Sequence, residues 1–312
     1  MAFIQMNLLS QNLMRTVPVN VILPADKQQM PGMPAREEKP YKTLYLLHGI
    51  FGNYMDWVTG TKIMRYAEEH DLAVVMPSGD NSFYVDHPEA MNNYGKFVGK
   101  ELVELTRKMF PLSRKKEDTF IGGLSMGGAG ALLNGLKYHE TFGYIVSLSG
   151  AFLIEELPHR TNDTVNVLER RDYAESIWGN LDQVAESENN PKYLVRRIKE
   201  EHAEFPEVYI ACGEQDGLRD VNLDMYHFLK ENGVNAVYES GAGAHEWDFW
   251  DTYIKRAMEW FPQRIQGWEE TAGMSVYSWQ DSMVVPARAT PEHYGLRDVA
   301  HDESEARDLL QG

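Results

Sequence analysis

The feature that most constrains this chain is Gly122-Gly123-Leu124-Ser125-Met126-Gly127-Gly128-Ala129. Ahead of it, Thr119-Phe120-Ile121 reads as a short apolar strand. Behind it, Ala129, Leu132, Leu133 and Leu136 recur at i, i+3, i+4 and i+7, the spacing of one helical face. A strand that turns directly into a helix with serine at the apex strains the backbone and leaves no room for bulky neighbours. Gly123 and Gly127 relieve that crowding, and Gly128 and Ala129 keep the first helical turn thin. This is the sequence form of a nucleophile elbow. Glycine and serine are each roughly 7% of residues, so the bare Gly-x-Ser-x-Gly pattern arises by chance in about one chain in ten of this length. The flanking elements and the partners of Ser125 therefore carry the argument.

Taken in order, residues 2–9 and 14–23 read as an antiparallel strand pair, with Val17, Val19 and Val21 alternating inward. Residues 24–41, with their Pro, Gly and charged residues, read as an exposed loop. Strands follow at 43–47, 72–76, 119–121 and 144–148, separated by helices at 61–70, at 94–109 and after the elbow. The second of these helices sets Val98, Leu102, Leu105 and Met109 on one face. This alternation predicts a mostly parallel central sheet with helices on both faces. Residues 151–205 break it. They are polar and helix-leaning, and read as an insertion on the elbow's rim, where insertions shape pockets. The sheet resumes at 208–212 and ends near 236–239, with helices at 221–231 and 247–261. The expected organisation is a catalytic domain of the α/β-hydrolase fold over 1–264. A C-terminal extension over 265–312 turns acidic at Asp302-Glu303-Ser304-Glu305, and three readings stay open for it: self-association into a homo-oligomer, cover for the active-site rim, or no role.

Composition narrows the function. The formal charge of -17 over 312 residues argues against nucleic acid and anionic membranes as partners. The single cysteine, Cys212, excludes an intrachain disulfide and a cysteine-rich metal site. No apolar run approaches a membrane span, and Met1–Asn7 lacks the basic start of a secretory signal, so the expected compartment is the cytoplasm. Phosphate-loop and dinucleotide glycine motifs are missing. His245-Glu246-Trp247-Asp248-Phe249 lacks the second histidine of a zinc-protease helix, so no cofactor or metal is expected.

A serine hydroxyl is a poor nucleophile at neutral pH. It needs a base within hydrogen-bond reach and a third group to fix that base's tautomer. Ser125, Asp216 and His245 occur in the chain order of a hydrolase triad. Asp216 lies just past a buried strand, where Glu214 and Asp220 are its local competitors, and His245 lies in a glycine-rich loop after the last strand. The oxyanion formed on attack needs two backbone N–H donors. One is expected from Met126, at the start of the elbow helix, and the other from the His48-Gly49-Ile50-Phe51 turn, at Ile50. Phe51, Trp57, Phe83 and Tyr84, near predicted loops, are candidates to stack on substrate, with the site contacts assigned to Phe51, Trp57 and Tyr84.

These pieces form a recognisable ordered set: Leu46-Leu47-His48-Gly49 with Gly52-Asn53 and Trp57, then Val74-Val75-Met76-Pro77, then the elbow, then Cys212-Gly213-Glu214-Gln215-Asp216, then Gly243-Ala244-His245-Glu246-Trp247. In them the chain resembles the esterase D / putative esterase family of α/β-hydrolases, and within it bacterial tributyrin-type short-chain esterases. The resemblance covers about residues 1–264. It implies a serine carboxylesterase acting through an acyl-enzyme on Ser125, on short-chain esters including acetyl or feruloyl esters of carbohydrates. The same triad would serve an S-formylglutathione hydrolase-like thioesterase or an acyltransferase. A non-catalytic binding module would be expected to have lost triad residues, and none is lost.

Overall fold

The computed structural model describes residues 1–27 and 39–262. Met1–Arg264 group as one compact unit. The extension expected over 265–312, and most of the loop expected at 24–41, lie outside the described residues.

Valine, isoleucine and aromatic runs form the strands, as their fit to a pleated, buried surface requires. In chain order these are β1 (Ala2–Ser10), β2 (Arg15–Leu23), β3 (Lys42–Leu47), β4 (Leu72–Pro77), β5 (Thr119–Leu124), β6 (Tyr144–Leu148), β7 (Glu207–Gly213) and β8 (Ala236–Gly241). They make one sheet in the order β1-β2-β4-β3-β5-β6-β7-β8. Strand β2 runs antiparallel to β1 and β4, and the remaining neighbours pair in parallel. The main helices are α1 (Ile63–Glu69), α2 (Leu102–Met109), α3 (Met126–Lys137), α4 (Arg171–Trp178), α5 (Pro191–Glu200), α6 (Arg219–Glu231) and α7 (Trp247–Trp260).

Alternate residues of each strand enter opposite cores. Tyr45, Leu47, Ile121, Ile145 and Ile210 join one cluster with Leu132, Leu136, Leu194 and Leu229, from α3, α5 and α6. Leu44, Leu46, Phe120, Val146 and Tyr209 join the other, with Ile63 of α1 and Trp250, Ile254 and Met258 of α7. The sheet is thus buried on both faces, as the continuous apolar runs require. The aromatic stripe of α7 is core.

The helix expected over 94–109 is not uniform. Phe97–Glu101 widens to π geometry before α2 begins. The added residue in that turn rotates the faces of α2 relative to the turn before it. The buried side of α2 becomes Leu102, Val103 and Thr106, and Met109, expected inside, is 47% exposed. Thr106 is tolerated in the core because its hydroxyl meets the Tyr45 hydroxyl at 2.8 Å and donates to the Leu102 carbonyl at 2.8 Å.

The register aligns the functional edge. Leu47 pairs with Gly123 and Leu124 with Leu148, so the residues that leave β3, β5 and β6 emerge side by side. The elbow helix packs almost against the end of β3. A Cβ on Gly127 would lie 2.4 Å from the Leu47 carbonyl oxygen and 2.5 Å from that of His48. Both obstacles are backbone and cannot rotate away. Gly127→Ala is therefore expected to destabilise the fold by at least about 2 kcal/mol, the upper part of the range for overpacking. Urea denaturation measures this, and a stability within about 0.5 kcal/mol of wild type would contradict the packing described.

Candidate active site

The apex of the turn from β5 into α3 is Ser125, at φ 53° and ψ -118°. For a residue with a Cβ this is strained backbone, held here by tertiary bonds. The Ser125 N–H donates to the Leu148 carbonyl at 2.8 Å, and its carbonyl accepts from Ala129 and Ala151 at 3.1 and 3.0 Å. The side chain is thereby lifted to the sheet's C-terminal edge while remaining mostly buried.

The loops after β7 and β8 bring the partners across. His245 Nε2 lies 2.9 Å from Ser125 Oγ, and His245 Nδ1 lies 2.9 Å from Asp216 Oδ2. Since a carboxylate only accepts, Nδ1 carries the proton and Nε2 presents its lone pair to the serine hydroxyl. Burial alone would raise the Asp216 carboxyl. Hydrogen bonds from His245, from the Leu218 N–H at 2.8 Å and from Ser149 outweigh it and hold the group below its ordinary value. The aspartate therefore stays ionised and fixes the imidazole. The competitors fall away: the histidine bonds Asp216 rather than Glu214, and Asp220 pairs with Arg219.

Two side chains that the sequence pattern did not single out for the site complete its frame. Ser149, at φ 48°, leaves β6 beside the elbow. It accepts a bond from Trp250 Nε1 at 3.1 Å while bonding Asp216. The Trp250 ring also meets His245 edge to face, with centroids 4.9 Å apart. The signal in the sequence was slight: a serine at a strand end, and a tryptophan five positions beyond the histidine. Cys212, by contrast, is buried, and burial together with the Asp216 charge pushes its thiol up to about 12, which keeps it an un-ionised thiol.

The second edge of the site is the turn after β3. Gly52 N–H returns to the Gly49 carbonyl at 3.2 Å, with Phe51 at φ 65°. The Phe51 N–H is taken by Asn81 Oδ1 at 2.8 Å. Neither the Ile50 N–H nor the Met126 N–H donates to another described residue. Both sit past neighbouring strands at one edge, and Met126 opens α3, where the helix dipole favours negative charge. Buried His48 braces the turn: its Nε2 accepts from the Gly79 N–H at 2.8 Å, and its Nδ1 faces the Gly49 carbonyl at 2.6 Å. Burial lowers its pKa, in keeping with a neutral ring that donates at one nitrogen and accepts at the other.

The aromatics expected at the substrate are corrected in part. Trp57 is 1% exposed, donates its indole N–H to the Leu47 carbonyl at 3.0 Å and packs edge-on to Trp247. Tyr84 is fully buried, and its hydroxyl donates to the His48 carbonyl at 3.1 Å. Trp57 braces the end of β3 from one core and Tyr84 from the other, and neither presents a face to a ligand. Phe51 is 73% exposed at the rim.

Residues 10–261 match the family described as putative esterase. The chain belongs to this esterase family. It is 43% identical to an acetyl esterase of Caldicellulosiruptor saccharolyticus, over 83% of this chain and 98% of that protein. It is 35% identical to the fluorophosphonate-binding serine hydrolase F of Staphylococcus aureus, with a TM-score of 0.72 over 83% of this chain and 98% of that one. A structure of an S-formylglutathione hydrolase from the same organism matches with 35% identity and a TM-score of 0.71 over the same shares. The chain is a serine esterase with the α/β-hydrolase fold.

Loss of the Asp216 charge is expected to free the imidazole tautomer and lower kcat about ten-thousand-fold in Asp216→Asn, read in steady-state ester hydrolysis. Because folding lowers this carboxyl's pKa, its stabilising contribution is present above the unfolded value of about 3.9 and is lost as pH falls through the folded value. The stability gap between wild type and Asp216→Asn should therefore narrow on acidification. A gap that widened would contradict the assignment.

Proposed function

We propose that residues 1–264 form a carboxylesterase unit that transfers a short acyl group from an ester to Ser125 and then to water. The observation that carries this is the unbroken relay from Asp216 through His245 to Ser125, with both links at 2.9 Å. Ser125 Oγ gives its proton to His245 Nε2 as it attacks the ester carbonyl. The resulting oxyanion turns toward the unused N–H groups of Ile50 and Met126. The imidazolium then returns its proton to the departing alcohol, and the same histidine draws a proton from the water that releases the acid.

An acetyl group is the favoured acyl part, on the strength of the 43% identity to an acetyl esterase. The alcohol proposed is a carbohydrate or similar polyol. An open cavity of about 230 Å³ is lined by Asp80, Asn81, Ser82, Asn92, Tyr94 and Tyr173, and it adjoins the oxyanion turn through the Asn81–Phe51 bond. Since a cavity of about 150 Å³ holds a benzene, this one has room for roughly nine heavy atoms, the greater part of a monosaccharide, and its mouth is open. A feruloyl ester, which the family resemblance also implies, gains no support from Trp57 or Tyr84, whose rings are buried. A thioesterase reading is favoured by one observation, the 35% identity to an S-formylglutathione hydrolase. The cytoplasm is the proposed compartment, in keeping with a single, buried cysteine.

Turnover of p-nitrophenyl acetate to octanoate, an acetylated monosaccharide, methyl ferulate and S-formylglutathione decides among these. The expected result is highest kcat/KM on acetyl esters, with the sugar ester above p-nitrophenyl hexanoate. Ser125→Ala should lose roughly a millionfold in kcat. Dominant turnover of S-formylglutathione would favour the thioesterase, and ester turnover untouched in Ser125→Ala would remove the mechanism.

A further inference from the structure

The indole of Trp250 begins a chain of hydrogen bonds that ends at the nucleophile. Its Nε1–H donates to Ser149 Oγ at 3.1 Å, and Ser149 in turn bonds the Asp216 carboxylate. Asp216 Oδ2 holds His245 Nδ1, and His245 Nε2 faces Ser125 Oγ. Ser149, Asp216 and Trp250 are all buried, so water does not compete for these bonds.

The donors and acceptors available fix the direction of the chain. An indole nitrogen only donates, so Ser149 Oγ accepts from it. A carboxylate only accepts, so the single hydroxyl proton of Ser149 goes to Asp216. The Cys212 thiol also touches both groups, but an un-ionised thiol is a weak acceptor and cannot draw that proton from a carboxylate. Each bond from Trp250 to Asp216 therefore runs one way. Trp57 shows the alternative within the same protein. Its buried N–H is satisfied by a backbone carbonyl, the Leu47 oxygen, which has no proton to pass on. At Trp250 a hydroxyl takes that place, on a residue held at φ 48° with its N–H on the Ala211 carbonyl at 2.8 Å.

Resting on the esterase reading, we propose that Ser149 and Trp250 are positioning residues of the reaction: the Trp250 N–H orients the Ser149 hydroxyl, and that hydroxyl holds the Asp216 carboxylate toward His245 and shares its charge. Trp250 also meets the His245 ring edge to face, with centroids 4.9 Å apart. Its N–H acts on turnover through Ser149, separately from this ring contact.

Three variants of the full chain, Ser149→Ala, Trp250→Phe and the two combined, test this in steady-state hydrolysis of p-nitrophenyl acetate. Ser149→Ala takes a hydrogen bond from a buried charge. It is expected to lower kcat about ten- to a hundredfold and to leave KM within about twofold. Trp250→Phe keeps an aromatic ring beside His245 and loses the donor, and is expected to lower kcat about three- to tenfold. In the Ser149→Ala background the same change is expected to cost less than about twofold, because its target is gone. Should Ser149→Ala fold poorly, Ser149→Gly removes the same hydroxyl and adopts the positive φ without strain, with the same expectations. A second readout needs no turnover. The low-field proton resonance of His245 Nδ1–H, assigned by its loss in His245→Gln, is expected to move downfield in Ser149→Ala, as the carboxylate turns more of its charge to the imidazole. Losses that multiply in the double variant, an effect carried by KM, or a resonance unmoved by loss of the Ser149 hydroxyl would each overturn the proposal. Absence of any Ser125-dependent turnover would sink the esterase reading, while the resonance would still decide whether Ser149 polarises the Asp216–His245 pair.

Discussion

The site depends on one close approach: the Cα of Gly127, in the first turn of the elbow helix, lies against the carbonyls at the end of β3 and at the start of the turn that follows it. The Leu47 and His48 carbonyls occupy the space a side chain would need. Each is also tied from another direction, Leu47 by the indole of Trp57 and His48 by the hydroxyl of Tyr84. Helix, strand end and two large aromatics therefore form one packed unit. It sets the distance between Met126, on the helix, and Ile50, on the turn. A polar site at a sheet edge gains its precision from this kind of support, because electrostatic stabilisation works only where the donors are held in place before charge develops.

On the other side of Ser125 the support is polar. Trp250 bonds Ser149, Ser149 and His245 bond Asp216, and Trp250 packs edge-on against the His245 ring. The carboxylate is buried yet held ionised, since hydrogen bonds to its charged form outweigh the cost of burial. The imidazole that bridges it to the serine remains 38% exposed, which leaves a route for substrate and water. A dry, fixed charge behind a partly open base suits a relay that must be oriented and still exchange protons with its reactants.

Much of this was legible in the sequence, for identifiable reasons. The alternation of strands and helices follows from apolar runs and helical spacings, and the elbow from its glycines taken with the strand and helix on either side. Ser125, Asp216 and His245 were chosen by chain order and by their places after strands, and the structure brings them within hydrogen-bond reach. What was misread depends on tertiary contact. Trp57 and Tyr84 flank loops in the sequence, but their polar atoms find backbone carbonyls in the interior. Met109 keeps helical spacing with Leu102, but it is the last residue of α2 and stands 47% exposed there. Ser149 and Trp250 are 101 positions apart, and no local pattern links them.

The central claim is that the acyl group passes through Ser125, and trapping that intermediate tests it most directly. The enzyme is mixed with p-nitrophenyl acetate, quenched in acid within the first turnover, digested and weighed by mass spectrometry. The account predicts one acetyl group on the peptide that carries Ser125, and none on the matching peptide of Ser125→Ala. Acetyl found on another residue, or fast hydrolysis with no acetylated peptide at any quench time, would contradict it.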